Sequence, residues 1–136
     1  MKTEADRQLR TTLKALGAVS YDLALPETKA MSSVIHPGEK ILGVVYGRYK
    51  DDKDGTVSRG VLIATDQRVV LLNKKLLYKQ NDEFAYRVIS GVEYGRVWPM
   101  GTVSLHTRMG DIHVRTFNRK CAETFVAAIE PNLVQQ

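Results

Sequence analysis

The chain has 136 residues, of which 43% are hydrophobic and 26% charged, and its formal net charge is +5. This composition is typical of one globular domain and excludes a disordered chain. A single cysteine, Cys121, excludes an intrachain disulfide, and no apolar run approaches the roughly 20 residues that span a bilayer. The charged first residues lack the apolar core of a secretory signal, so we expect a cytoplasmic protein.

Residues 1–34 are predicted to form a helical extension. A helix over residues 1–20 is indicated by apolar residues at spacings of four and three, which share one face. These residues are Leu9, Leu13, Leu16 and Val19. Pro26 is typical of the first position of a second, shorter helix. The Pro-Gly pair in "HPGEK" then predicts a turn.

From Lys40 onward the pattern predicts strands. "KILGVVYGRYK" and "TVSRGVLIAT" are rich in β-branched and aromatic residues, and Gly55 in "DDKDG" favours a hairpin turn between them. Only Asp66 and Gln67 separate "VLIAT" from "RVVLL", which predicts a tight antiparallel turn. "NKK" predicts the next reversal. The middle strand of this meander is apolar on both faces, so both need cover, in a tightly curved barrel or a sheet capped by helices.

The later strands end in a hairpin and a helix. "DEFAYRVISGVEYGRVW" predicts one or two strands, and "TVSLHTR" and "DIHVRTF" predict a hairpin that pairs Arg108 with Asp111. This register places His106 opposite His113. A last helix is expected from an Asn118 cap to about residue 129, ended by Pro131. Its apolar face carries Cys121, Phe125, Ala128 and Ile129.

One further pattern is spread over four segments, which are "HPGEKILGVV", "GVLIATDQRVVLL", "VISGVEY" and "CAETFVAAIE". These segments resemble the pleckstrin-homology-like family, above all its bacterial group, often called YokE-like, and more distantly the GRAM domain. The resemblance covers roughly residues 35–130. It implies a mainly-β α+β fold, a PH-like curved antiparallel barrel of about seven strands capped by a C-terminal helix, over residues 35–136. It also implies a non-catalytic scaffold and gives no ligand.

The sequence contains no convincing catalytic or metal site. His106 and His113 could hold a zinc or copper ion, but a structural zinc site needs four ligands and no third is visible, so we expect no metal and no cofactor. Cys121 lies on the apolar face of a predicted helix and is best explained as a buried structural residue. We therefore expect a protein that is not an enzyme.

Basic residues form a candidate anionic-ligand surface. The residues are Arg48, Lys50, Lys53, Arg59, Lys74 and Lys75. Arg48, Lys50, Lys53 and Arg59 cluster around the first hairpin, where basic residues bind phosphoinositide headgroups in eukaryotic PH domains. Interleaved acidic residues, Asp51, Asp52 and Asp54, weaken the local potential, and solubilising charge is the alternative interpretation.

The expected function is that of a binding or self-association module. A homo-oligomer could form through the apolar stripe of the first helix, unless that stripe covers its own barrel. A peripheral membrane-surface or anionic-ligand binder that uses the basic hairpins is the alternative. Nucleic acid is an unfavoured partner, since strand aromatics more often pack than stack on bases. These aromatics are Tyr46, Tyr49, Tyr94 and Trp98.

Overall fold

A computed structural model describes residues 4–50, 55, 57–73 and 82–133. The helices in these ranges are α1 (Glu4–Ala15), α2 (Ser20–Leu23), α3 (Pro26–Val34) and α4 (Arg119–Leu133). The strands are β1 (Ile41–Lys50), β2 (Val57–Thr65), β3 (Arg68–Asn73), β4 (Asp82–Ala85), β5 (Ile89–Val97), β6 (Met100–Thr107) and β7 (Gly110–Thr116). A 3-10 helix, Tyr86–Val88, leads into β5. None of the described helices has the length and apolar character to span a bilayer.

The strands form one antiparallel seven-stranded sheet in the order β4-β3-β2-β1-β7-β6-β5. β1 pairs with β2 along almost its whole length, whereas its pairing with β7 is confined to Arg48 and Tyr49. α4 packs across β1, β5 and β6 and fills the space that this partial pairing leaves. The predicted PH-like barrel with its C-terminal helix is therefore confirmed.

Two apolar cores lie on opposite faces of β1–β3. The inner core is enclosed by the curved sheet and α4, and includes Val45, Leu62, Val69, Leu71, Leu105, Phe125 and Ile129. The outer core lies between the same strands and α1–α3, and includes Leu13, Leu23, Met31, Val44, Val61, Ile63, Val70 and Leu72. Because side chains alternate along a strand, β2 sends Leu62 inward and Ile63 outward. The predicted cover on both faces is confirmed, with a curved barrel inside and helices outside.

The N-terminal helical layer packs on its own sheet. Leu13 is fully buried in the outer core, and Leu9 and Leu16 pack against it. Val19, the last residue of the predicted stripe, is instead 53% exposed. α1 ends earlier than predicted, since Gly17 has a φ of +109° that a helix cannot continue through. The stripe thus needs no second copy to cover it, and self-association remains a prediction without that support.

The "TDQR" turn is tied to the start of β1 by a buried polar cluster. The Thr65 hydroxyl donates to Glu39 Oε2 at 2.6 Å and accepts the Arg68 amide at 3.0 Å. Arg68 donates Nε to Glu39 Oε2 at 2.9 Å and Nη2 to the Val34 carbonyl at 2.9 Å. It also pairs with Glu83 at the start of β4. The residues that carry the family resemblance in this turn therefore hold α3, β1 and β4 together.

Two local predictions are wrong. The predicted end of α4 is one of them. α4 continues past Pro131 to Leu133, because a proline in the last turn removes only one helical hydrogen bond.

The other is the register of the β6–β7 hairpin. Thr107 pairs with Gly110 and His106 pairs with Asp111, so Arg108 does not pair with Asp111. The loop consists of Arg108 and Met109. Gly110 has a φ of +123°, which suits it to the end of this turn. The shift by two residues keeps every side chain on its predicted face.

We predict that Phe125→Ala lowers the free energy of unfolding by about 3–5 kcal/mol, because the ring is fully buried under the barrel. Urea unfolding measures this change. Phe117→Ala is the matched control: this ring is 75% exposed, so its removal should change stability by less than about 0.5 kcal/mol. Equal effects of the two substitutions would contradict the position of α4.

Glu39 predicts a specific loss of stability in acid. Hydrogen bonds from Arg68 lower the pKa of the Glu39 carboxyl from 4.5 to about 2. A lowered pKa stabilises the fold above pH 4.5, and this contribution, about 3 kcal/mol, disappears as the pH falls towards 2. Urea unfolding should therefore show the difference between the wild type and Glu39→Gln shrinking over this window. A constant difference from pH 5 to pH 2.5 would contradict the low pKa.

Candidate functional site

Three arginines stand side by side on the outer face of the sheet, and we call them the arginine row. Arg48 of β1 lies directly opposite Arg59 of β2 on one side and Arg115 of β7 on the other. Neighbouring strands are about 4.8 Å apart, so adjacent guanidinium groups of the row can reach one anion. Like charges in directly opposed positions are unfavourable unless something compensates them.

The positive charge of Arg59 is balanced by a carboxylate of the same chain, that of Glu27. Its Nε donates to Glu27 Oε2 at 3.0 Å and its Nη2 donates to Glu27 Oε1 at 3.2 Å, a two-point pairing. Glu27 lies in α3 and its side chain is fully buried. The hydrogen bonds to this carboxylate raise the pKa of Arg59. The pair thus joins the helical layer to β2 and balances one of the three charges.

Arg48 and Arg115 are exposed and make no ion pair with any residue in the described ranges. β1 and β7 pair at only two positions, and the pair Arg48–Arg115 is the one that lies next to Gly47. Gly47 sets this approach: a Cβ there would lie 2.1 Å from the Arg115 carbonyl oxygen. Any side chain at Gly47 would push β7 away and separate the two arginines.

A cleft of about 680 Å³ opens over the arginine row. Its first wall is the segment from Val19 to Leu25, and its second is the end of β7 with the first residues of α4. The basic lining residues are Arg48, Arg59, Arg115, Arg119 and Lys120. The acidic lining residue is Asp22, which is buried and accepts hydrogen bonds from the Val19 amide at 3.1 Å and from Asn118 at 3.3 Å. The lining of the cleft therefore carries an excess of positive charge, even with Arg59 balanced by Glu27.

Asn118 holds the two walls together. Its Oδ1 accepts the Cys121 amide at 3.1 Å, which confirms the predicted cap of α4. Its Nδ2 donates to the Gly17 carbonyl at 2.8 Å and to Asp22. One side chain thus fixes both the start of α4 and the linker between α1 and α2, and with them the width of the cleft.

Apolar side chains surround the charges. Val19, Tyr21 and Phe117 line the cleft and are 53%, 68% and 75% exposed. Leu25 and Met100 complete the apolar lining. Trp98, in the turn just before Met100, is 81% exposed, so the expectation that it packs is wrong. Tyr46 and Tyr49 are buried, as predicted for strand aromatics.

The structure brings together only part of the predicted anionic-ligand surface. Arg48 and Arg59 are neighbours, and Lys50 is exposed at the end of β1, where it pairs with Val57. Lys53, Lys74 and Lys75 lie outside the described residues. Sequence reasoning missed the basic residues on the second wall, which are Arg115, Arg119 and Lys120. The alternation in β7 predicted an outward Arg115, but no local pattern indicates that β7 lies beside β1.

Three further residues were considered as metal or catalytic candidates from the sequence: His106, His113 and Cys121. His106 and His113 are diagonal neighbours with ring centroids 6.3 Å apart, not opposite each other as the predicted register required. A hydrogen bond to Asp111 raises the pKa of His106. Across the described ranges, no group of three or more His, Cys, Asp or Glu side chains is placed to hold a metal ion. Cys121 is buried as predicted, and burial raises its pKa to about 12, which keeps the thiol protonated.

A known protein family and several solved structures are similar to this chain. The sequence pattern of the family described as "Bacterial PH domain" matches residues 35–131. No curated protein matches the chain. The solved Vps36 N-terminal PH domain is 16% identical with a TM-score of 0.54, over 74% of this chain and 83% of that one. The C-terminal domain of an unknown protein from Leishmania infantum is 14% identical with a TM-score of 0.52, over 79% and 94%. At such identities the likeness of these structures shows the fold alone.

We predict that Glu27→Gln lowers the free energy of unfolding by about 1.5–3 kcal/mol, because Arg59 loses its charged hydrogen-bond partner. Chemical denaturation of both proteins measures the effect. Glu123→Gln, an exposed substitution on α4, is the matched control and should change stability by less than about 0.5 kcal/mol. If Glu27→Gln were as mild as the control, this pair would not hold the helical layer on the sheet.

Proposed function

Because the chain belongs to the bacterial PH domain family, we propose that it is a non-catalytic binding module that takes an anionic ligand in the cleft over the arginine row. One observation carries the proposal. Arg48 and Arg115 lie opposite each other on adjacent strands, point into the cleft, and have no acidic partner in the described part of the chain. An anion between them would relieve their repulsion.

The chemistry of the cleft fits a carboxylate or a phosphate group. A guanidinium presents a planar fork of donors that matches both groups, and two such forks at one strand spacing can hold one anion from two sides. Arg119 and Lys120 add positive charge, and they begin a helix of 15 residues whose N-terminal end also favours anions. The guanidinium pair, the two further basic side chains and the end of the helix all favour the binding of an anion.

This location differs from the basic hairpin tip that the sequence indicated. Arg48 and Arg59 belong to both surfaces, but the centre of the proposed site lies towards Arg115 of β7. Lys50 would contribute at the rim through its long-range charge. Self-association and a cytoplasmic location stay predictions, and light scattering of the full chain at micromolar concentration tests the first of them.

Pyrophosphate titration, followed by amide NMR shifts at low salt, tests the site. We predict that Arg48→Gln and Arg115→Gln each weaken binding about tenfold, since each removes one charge-assisted contact. Raising the salt concentration should weaken wild-type binding, because the charges are exposed and therefore screened.

Arg108→Gln is the matched control, since Arg108 is also exposed but lies in the loop between β6 and β7. It should leave pyrophosphate affinity unchanged. Equal affinities for all three variants and the wild type would refute the proposed site, as would shifts confined to residues outside the cleft.

A further inference from the structure

The cleft is larger than an inorganic anion requires. Its volume of about 680 Å³ lies within the range of pockets that hold whole organic ligands, about 300–1,000 Å³. A phosphate group bound at Arg48 and Arg115 would leave most of this volume empty. The remainder of the ligand must then match the rest of the lining.

Beside its charged and polar residues, the cleft has an apolar part. Val19 and Leu25 lie on the first wall, Phe117 lies on the second, and Met100 of β6 also lines the cleft. Val19 and Phe117 are more than half exposed and line the same cleft, and exposed apolar side chains that are grouped in this way, unlike single ones, are typical of binding sites. Phe117 follows Arg115 by only two positions, so charged and apolar contacts adjoin on the same wall.

The two walls are fixed before any ligand arrives. The Asn118 hydrogen bonds to Gly17 and Asp22 join them at the base, and Leu25 is buried against the outer core. A preformed space of this kind loses little freedom when it is filled, which favours the binding of a compact apolar group.

We propose, as an extension of the proposed function, that the ligand is an amphiphilic organic anion. Its phosphate or carboxylate group binds Arg48 and Arg115, and its apolar body lies between Val19 and Phe117. A free organic anion and a bilayer phospholipid share this chemistry, so the experiment includes an arm for each source.

Methyl phosphate and hexyl phosphate, titrated into the full-length protein and followed by NMR, isolate the apolar contribution. Both probes carry the same anionic group and differ only in the hydrocarbon chain. Burial of that chain in a half-open cleft should make hexyl phosphate bind more tightly by on the order of tenfold.

Two exposed apolar residues provide the matched variants. Phe117→Ser should remove most of the advantage of hexyl phosphate over methyl phosphate, and the exposure of Phe117 means that folding is not at risk. Met109→Ser, at a 72% exposed position in the loop between β6 and β7, should change neither affinity. Arg115→Gln should weaken both probes together.

Vesicles that contain phosphatidic acid provide the second arm. Co-sedimentation that requires both Arg115 and Phe117 would support the inference with a membrane phospholipid as the source. Hexyl phosphate binding without co-sedimentation would support it with a free organic anion. Equal affinities for methyl and hexyl phosphate would overturn the inference and leave the anion site standing. Failure of both phosphates and of pyrophosphate to bind would overturn the proposed function as well.

Discussion

The rest of the structure depends on the burial of β1–β3 on both faces. Val61 and Ile63 face the N-terminal helices while Leu62 faces the barrel interior, so neither face of the central strand can be left to water. At about 25 cal/mol per Å² of apolar surface, uncovering one whole face would exceed the usual stability of a domain this size. The helices before residue 35 are therefore part of the folded unit, although the family pattern begins at residue 35. Their presence gives the cleft its first wall.

Polar contacts decide where this helical layer sits. The Glu27–Arg59 pair joins α3 to β2, the Glu39–Arg68 cluster joins the end of α3 to the β2–β3 turn, and Asn118 joins the start of α4 to the linker after α1. Buried charges need such partners, so each contact also fixes a position. Against this pattern of satisfied groups, the exposed charges of Arg48 and Arg115 stand out. Stability does not explain two opposed cations, and the anionic ligand that we propose would compensate them.

Local patterns predicted much of the fold and little of the site. Apolar alternation gave the strands, Pro26 the start of α3, and Asn118 the cap of α4, because each depends on neighbours in sequence. The site depends on a contact between Arg48 and Arg115, which are 67 positions apart, and on β7 leaving β1 at Gly47. The resemblance to PH-like proteins indicated the basic residues around the first hairpin instead. The predicted register of β6 and β7 was wrong because two registers that differ by two residues place the same side chains on the same faces. The burial pattern therefore cannot distinguish them.

Native-state hydrogen exchange of the full chain tests most directly whether the helical layer and the barrel form one unit. We predict that protected amides of α1 and α3, such as that of Leu13, exchange with nearly the same free energy as those of β2 and β3, such as that of Leu62, within about 1 kcal/mol. Exchange of the helical amides at a free energy several kcal/mol lower, with the sheet still protected, would contradict it. The layer would then be a detachable cover, and the arginine row would have no fixed first wall.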